Sequence, residues 1–447
     1  VATRKRSSHP GIQSIAIEGY KSLRTRKEIS TPPLTVIAGV NSSGKSSVMQ
    51  PLLLLKQTVD AAYDPGPLQL DGPNVSITSV DQILSRGASA ASRVTSFSVE
   101  LCIDGHRTKA KFSRDAGGNL RVAEYTSLFM VGQSEPVTLR EGMTDSTLRK
   151  IFAPALKKTE FPASILKRKE TRLSVIRDRF ALQVGITLHS GDTSAVLPLA
   201  LGGAELSSEV SRIIHLPALR GNPKRTYRTA AIEGRYPGTF DTYTAGIISY
   251  WQNNGRTEKL NQLKRDVEEL GLTWKVEARQ LDDTQVELLV GRLPHARQGG
   301  ARDLVNIADV GFGVSQTLPV VVALLAADPG QTVYLEQPEI HLHPRAQLHF
   351  AQLVNRALKR QVRVIIETHS SLLIRAVQTM IARDEMNASD VALHWFTRSL
   401  TTGETEISTA ELSPDGAFGD WPEDFDDVYL GSEAAYLDAA MEKAAKL

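Results

Sequence analysis

The chain has 447 residues, 41% hydrophobic and 23% charged, the balance of a globular protein with two or three domains. A formal net charge of +2 excludes a polycation, so any nucleic-acid contact must come from a local patch. The single cysteine, Cys102, excludes an internal disulfide framework and fits a reducing, cytoplasmic setting, and no run of 18 apolar residues is present to span a membrane.

Residues 1–10 are basic, lack the apolar centre of a secretory signal and are expected to be a disordered tail. Residues 11–140 begin with a weakly alternating segment, Ile15–Tyr20, and a β-rich apolar run, Leu34–Ala38. A Gly/Ser loop follows, then a helix from Ser46 to Thr58 whose Leu52–Leu55 predict burial and whose Pro51 restricts its start. Beyond it, Asn74–Thr78, Thr95–Leu101 and Lys109–Phe112 alternate and predict an antiparallel β subdomain. Cys102 sits in this patterning and reads as a small strand residue.

Residues 141–180 change character. Ten Lys/Arg against three Asp/Glu between Arg149 and Arg179 predict a basic helical insertion. That stretch either grips a phosphate backbone or acidic partner or is a solvated helical face; sparse aromatics give no support for base stacking. Residues 181–300 form an expected connector lobe. It has strand patterning to 200, a helix over 241–271 (Leu260, Leu263, Val267 and Leu270 at helical spacing) and a hairpin around Asp282-Asp283. In residues 301–447, helices (through Leu318–Ala327, Arg345–Arg360, Ser371–Ile381) alternate with strands (Thr332–Leu335, Val362–Ile366). Sustained heptads are absent, which excludes long coiled-coil arms.

Gly39-Val-Asn-Ser-Ser-Gly-Lys-Ser46 fits G-x-x-x-x-G-K-[ST], placed between a buried strand and a helix. In that setting Gly39 and Gly44 let the backbone fold into an anion nest, with Asn41, Ser42, Ser43 and Ser47 around the phosphates. Lys45 reaches the β/γ-phosphates, Ser46 ligates Mg²⁺, and the helix start adds its positive dipole end. The cofactors expected are ATP and Mg²⁺. Far downstream, Thr332–Glu336 is an apolar strand ending in an acid suited to orient the Mg²⁺ hydration shell. It continues into Gln337 and Glu339. Val362–Ile366 runs on through Glu367 to His369. Gly311, Gly313, Ser315 and Gln316 form a second Gly/Ser loop before a helix, a second anion cradle. Glu339, His341 and His343 alternate as strand metal ligands would, but Pro344 favours a loop beside the nucleotide.

In this order the motifs resemble those of ABC ATPases. Gly311–Gln316 looks like a variant signature loop, Glu336–Pro338 like the Walker B acid strand, Glu339–Pro344 like the D-loop and His369 like the switch histidine. The resemblance implies an α/β P-loop NTPase fold of ABC-ATPase type, with a mixed-sheet core, and a homodimer or higher oligomer that sandwiches ATP between P-loop and signature loop. A closer resemblance is to a bacterial branch of AAA/ABC-type (SMC/RecF/OLD-like) ATPases. It rests on Glu336-Gln-Pro-Glu-Ile-His-Leu-His-Pro344, Glu367-Thr-His-Ser370, the hairpin Tyr20–Arg24, Leu216–Arg225 and Gly416–Pro422. It implies Arg24 at the nucleotide, with a surface role for it equally open, a place in antiphage defence or DNA repair, and a separate effector such as a nuclease or toxin; it does not cover the basic stretch, where DNA contact through 149–179 rests on charge alone. Asp424 and Asp426 depart from that branch, and no role is expected of the tail.

Gln337 stands where most ABC ATPases carry the Glu that polarises water, and an amide cannot accept the proton. Three readings follow: slow hydrolysis with a persistent ATP-bound dimer, Glu339 as substitute carboxylate, or water orientation by Gln337 itself. Slow hydrolysis assisted by Glu339 or His369 is the expectation. A RecF-like repair clamp is the alternative. An OLD-like intrinsic nuclease is not expected, because the 77 residues after Ser370 (447 − 370) carry no Asp-x-Asp cluster behind a strand. A transporter ATPase ranks last. Arg220, Lys224, Arg225 and Arg228 form a second basic cluster, for an anion or a subunit interface.

Overall fold

The computed structural model describes residues 10–86, 94–129, 135–156, 171–190, 193–200, 204–229, 234–293, 303–419, 434–438 and 441. The tail expected over 1–10, the centre of the basic stretch (157–170) and Asp424 and Asp426 lie outside the described residues, Pro10 excepted.

The N-terminal half contains β1 (Ile12–Glu18), β2 (Lys27–Ser30), β3 (Leu34–Gly39) and α1 (Ser46–Asp60). It continues with β4 (Ser96–Ile103), β5 (His106–Arg114), β6 (Leu120–Ser127), β7 (Val137–Arg140) and α2 (Asp145–Leu156). Next come β8 (Thr171–Asp178), β9 (Ala181–Ser190), β10 (Thr193–Ala200), α3 (Ala204–Ser211), β11 (Ile214–Leu216) and β12 (Tyr227–Arg228). The C-terminal half runs α4 (Thr244–Asn253), α5 (Thr257–Glu269), β13 (Val276–Gln280), β14 (Gln285–Gly291), β15 (Leu304–Asn306) and α6 (Phe312–Ala326). It ends with β16 (Thr332–Glu336), α7 (Pro344–Lys359), β17 (Arg363–Glu367), α8 (Ser371–Ala382), β18 (Val391–Arg398) and β19 (Thr405–Thr409).

The core sheet has the order β11-β16-β17-β3-β18-β19, parallel except for β19 at the edge. Its inner strands β3, β16 and β17 are largely apolar and buried because both faces are covered, whereas the edge strand β19 is polar and largely exposed. Leu34, Val36, Val333, Leu335, Val364 and Ile366 face a core shared with α4–α8. Ile37, Tyr334, Ile365 and Phe396 face α1 and the antiparallel sheet β2-β1-β4-β5-β6-β7. α1 is thus enclosed between two sheets, and Leu52, Leu53, Leu54 and Leu55 are each at most 1% exposed. Each contributes about 2 kcal/mol by leaving water. Lys56 is enclosed as well. Its ammonium pairs with Asp60 at 2.9 Å and donates to the Tyr236 carbonyl at 2.9 Å, while burial lowers its pKa against the opposing pull of Asp60.

α1, β16, α7, β17 and α8 fall within two residues of their expected bounds. Elsewhere the structure differs. Asn74–Thr78 is no strand: its pairing is limited to an isolated antiparallel bridge between Asp71 and Ser76, and a side chain takes up much of the rest of its backbone. The Gln57 amide accepts from Val75 N–H at 3.0 Å and donates to the Val75 and Gln69 carbonyls. The expected helical insertion is helical only over α2 among the described residues. Its end, Thr171–Asp178, is β8 and forms a hairpin with β9, so the boundary expected at 180/181 cuts a three-stranded sheet. The helix expected over 241–271 breaks into α4 and α5, since Gly255 takes a left-handed φ of +63°. α6 starts at Phe312, so most of the Gly/Ser loop is its first turn. Among the described residues no helix is long and apolar enough to cross a membrane.

Candidate nucleotide site

The parallel strands end at one edge of the core sheet, where ligand sites of open α/β sheets lie. β3 delivers the P-loop there. β17 lies between β3 and β16, with Glu336 and Glu367 paired in register. The loop backbone is fixed by contacts only glycine permits. A Cβ on Gly39 (φ +142°) would lie 2.1 Å from the Phe396 carbonyl oxygen. One on Gly44 (φ +97°) would lie 2.2 Å from Thr405 Oγ1 and 2.6 Å from Ser22 Oγ. Thr405 itself donates its hydroxyl to the Ser43 carbonyl at 2.7 Å. The edge strand β19 and the N-terminal turn therefore hold the loop from below.

A cavity of about 830 Å³ opens over this loop. Asn41, Ser42, Ser43, Gly44, Lys45, Ser46 and Ser47 line it, together with Gln337, Glu367, His369 and Lys21. Lys45 donates to the carbonyls of Gly39 (3.1 Å) and Val40 (2.8 Å); burial lowers its pKa, and the charge of Glu367 counteracts this. Gln337 follows β16 with a left-handed φ of +42° and donates its N–H to the Glu367 carbonyl at 2.7 Å. A non-glycine residue held there is strained, and here it turns the chain at the cavity wall. His369 precedes α8, whose N-cap Ser370 accepts from Leu373 N–H at 3.0 Å. Burial lowers the His369 pKa, and the Lys45 charge adds to that.

The Ser46 hydroxyl contacts the Glu367 carboxylate at 3.1 and 3.0 Å. Tyr334 also donates to Glu367, at 3.0 Å. Burial and the nearby charge of Glu336 raise the Glu367 pKa, against Ser46, Tyr334 and Lys45. Glu336, the acid expected at the metal, faces elsewhere: it accepts from Ala218 N–H at 3.2 Å and lies 3.1 Å from His215 Nε2. The Asn74 amide nitrogen donates to the Gly238 carbonyl and to His215 Nδ1 at 3.0 Å. Nδ1 is therefore the acceptor, and Nε2 carries the proton donated to Glu336. Burial raises the Glu336 pKa, but His215 and Ala218 bring it below its ordinary value.

Other expected site residues lie apart from the cavity. Arg24 does not line it; the tight turn Tyr20–Leu23 puts Lys21 and Ser22 at its tip instead. Lys21 donates to Gln50 at 2.5 Å. Glu339 is buried and accepts from His369 N–H at 2.8 Å, so it bears on the cavity only through that backbone. Gly311, Gly313, Ser315 and Gln316 belong to the start of α6, outside this cavity. Gln316 is 2% exposed and donates to the Gly221 carbonyl, which makes it a packing residue of α6. Gly311 faces open space, and Phe312 beside it is half exposed. His341 stacks on Phe312, and His343 caps α7; among the described residues no group of three or more His, Cys, Asp or Glu can hold a metal. Of the basic stretch, Arg149 binds Asp145 and the Thr171 carbonyl, and Arg177 pairs with Asp64.

Sequence reasoning passed over Glu367, Tyr334 and His215. Glu367 lay inside the Glu-Thr-His-Ser motif, and its place at a strand end was the available signal.

A P-loop sequence carried on a central strand of a mostly parallel sheet, one strand removed from the acid-ended strand, defines an α/β fold of the P-loop NTPase kind. Residues 221–375 match a protein family described as "AAA domain, putative AbiEii toxin, Type IV TA system". Solved structures similar to the chain include the Smc head bound to the C-winged helix domain of ScpA, at TM-score 0.47 and 13% identity, over 90% of this chain and 98% of that one. The SMC head domain from Thermotoga maritima is similar at TM-score 0.40 and 14% identity, over 90% and 99%. The Smc head with an extended coiled coil bound to the C-terminal domain of ScpA, derived from Pyrococcus furiosus, is similar at TM-score 0.47 and 11% identity, over 90% and 97%. No curated protein matches the chain.

Proposed function

We propose that the chain binds ATP with Mg²⁺ in this cavity, closes into a homodimer around it, and through that slowly hydrolysing dimer controls a separate effector protein. The observation that carries the reading is the convergence of Lys45, Ser46, Gln337 and His369 on one cavity at the sheet edge. The P-loop N–H groups and Lys45 would hold the phosphates, and Mg²⁺ would join the nucleotide through Ser46. When bound there, Mg²⁺ would neutralise charge that develops on the phosphates. The chain's own groups supply positioning. Gln337 orients water without taking its proton, which supports slow turnover. His369, held by Glu339, faces the same space.

The open start of α6, with Phe312 57% and Ile340 49% exposed beside it, supports contact with the γ-phosphate bound to a second copy. The description of the family matched over 221–375, a putative toxin of a type IV toxin–antitoxin system, supports a toxin or antitoxin partnership as the setting, and the single cysteine supports the cytoplasm. Turnover and oligomer size measured together, with and without DNA and for Gln337→Glu, test this. ATP-dependent dimers that persist in the wild type and turn over faster in Gln337→Glu support it. Brisk wild-type turnover without dimers would refute it, and stimulation by DNA would favour a repair clamp.

A further inference from the structure

We propose that Glu367, at the end of β17, and not Glu336, supplies the protein carboxylate of the Mg²⁺ site. The proposal rests on the P-loop reading above. The hydroxyl that a P-loop offers to Mg²⁺ is that of Ser46, and its side-chain partner here is Glu367, through both carboxylate oxygens at 3.1 and 3.0 Å. Octahedral Mg²⁺ takes oxygen ligands at about 2.0–2.1 Å, so two neighbouring ligands stand about 2.9 Å apart. Ser46 and Glu367 already have that spacing.

Three further observations agree. Glu336 is engaged on its other side by His215 and by the Ala218 N–H, and it does not line the cavity, whereas Glu367 does. Tyr334 bonds Glu367 and stacks on His215 with ring centroids 5.4 Å apart, so the carboxylate is held in place from behind. Among the described residues Glu367 has no ion pair within 4 Å: Lys45, whose charge acts on it, donates to P-loop carbonyls. A buried carboxylate with hydroxyl donors and no cation partner is suited to receive a cation. Mg²⁺ bound with a nucleotide needs only one or two protein oxygens, the phosphates and water completing its shell. On this assignment Glu336 is a positioning residue that ties β16 to β11.

The test is binding, not turnover. A fluorescent ATP analogue is titrated with Mg²⁺ or with EDTA, and Mn²⁺ in the complex is followed by electron paramagnetic resonance, for the wild type, Glu367→Gln, Glu367→Asp and Glu336→Gln. Glu367→Gln is expected to bind the analogue in EDTA like the wild type but to need roughly tenfold to a hundredfold more metal for half-saturation. Glu367→Asp, which keeps the charge and covers the case that the glutamine variant fails to fold, is expected to fall between. Glu336→Gln is expected to keep the wild-type metal dependence and Mn²⁺ spectrum. Loss of metal dependence in Glu336→Gln with retention in Glu367→Gln would overturn the assignment and leave the P-loop reading standing. A wild type that binds no nucleotide in either condition would overturn both.

Discussion

Arg220 donates to the main-chain carbonyl of Gln316 across 2.9 Å, joining the end of the acidic strand to the helix that opens at Gly311. The same guanidinium donates to the Glu336 carbonyl at 3.2 Å. Burial draws its pKa down to about 10 despite Asp241, Glu339 and Glu336, so it stays charged at neutral pH. The link runs from the strand end beside Gln337 to the first turns of α6.

Arg220→Met should therefore remove two hydrogen bonds from a charged donor, at about 1.5–3 kcal/mol each. Urea denaturation is expected to show the lower stability. ATP-dependent dimerisation should weaken more than ATP binding, because α6 lies outside the nucleotide cavity. Equal loss of both would contradict a linking role.

Gly44→Ala should weaken nucleotide binding while the fold survives. Its Cβ would meet Thr405 Oγ1 and Ser22 Oγ, and φ +97° strains any other residue. The expected result is a loss of at least about tenfold in affinity, equivalent to about 1.4 kcal/mol, by calorimetric titration. An alanine variant that binds like the wild type would show that the loop relaxes freely.

Asp60→Ala should destabilise the protein by about 3 kcal/mol, because it leaves the Lys56 ammonium buried without its partner. Lys56→Met with Asp60→Leu should recover most of that loss. Denaturant midpoints of the single and double variants decide it.

His394 gives a pH dependence. It is fully buried between Thr409 and the Ser30 carbonyl, and burial lowers its pKa more than the bond to Ser30 raises it. A depressed folded pKa means the unfolded chain takes the proton first as pH falls. The stability contribution is thus complete above about pH 6.5, the free-imidazole value, and is lost as pH falls toward the lower folded pKa. Carboxylates also titrate nearby, so the measurement is a difference. Thermal stability between pH 7.5 and 5 should fall more steeply for the wild type than for His394→Gln, and parallel profiles would refute it.

Much of this was legible beforehand. The P-loop and its flanking strand and helix follow from glycine spacing and apolar runs, and β16, α7, β17 and α8 follow from period and breakers. What was not legible depends on contacts between distant residues. Two carboxylates end adjacent strands, and nothing local says that Glu367 meets Ser46 while Glu336 turns to His215. Asn74–Thr78 alternates like a strand, but Gln57 claims the backbone of Asn74 and Val75. Gln316 belongs to a Gly/Ser pattern that suggests an exposed cradle, yet helical phase turns it inward.

Calorimetric titration of the full chain with ATP and Mg²⁺, for the wild type and Lys45→Ala, tests the central claim most directly. The account predicts about one ATP per chain for the wild type, with saturable heat, and no detectable binding for Lys45→Ala at the same concentrations. Absence of binding in the wild type, or the same isotherm in both proteins, would contradict it.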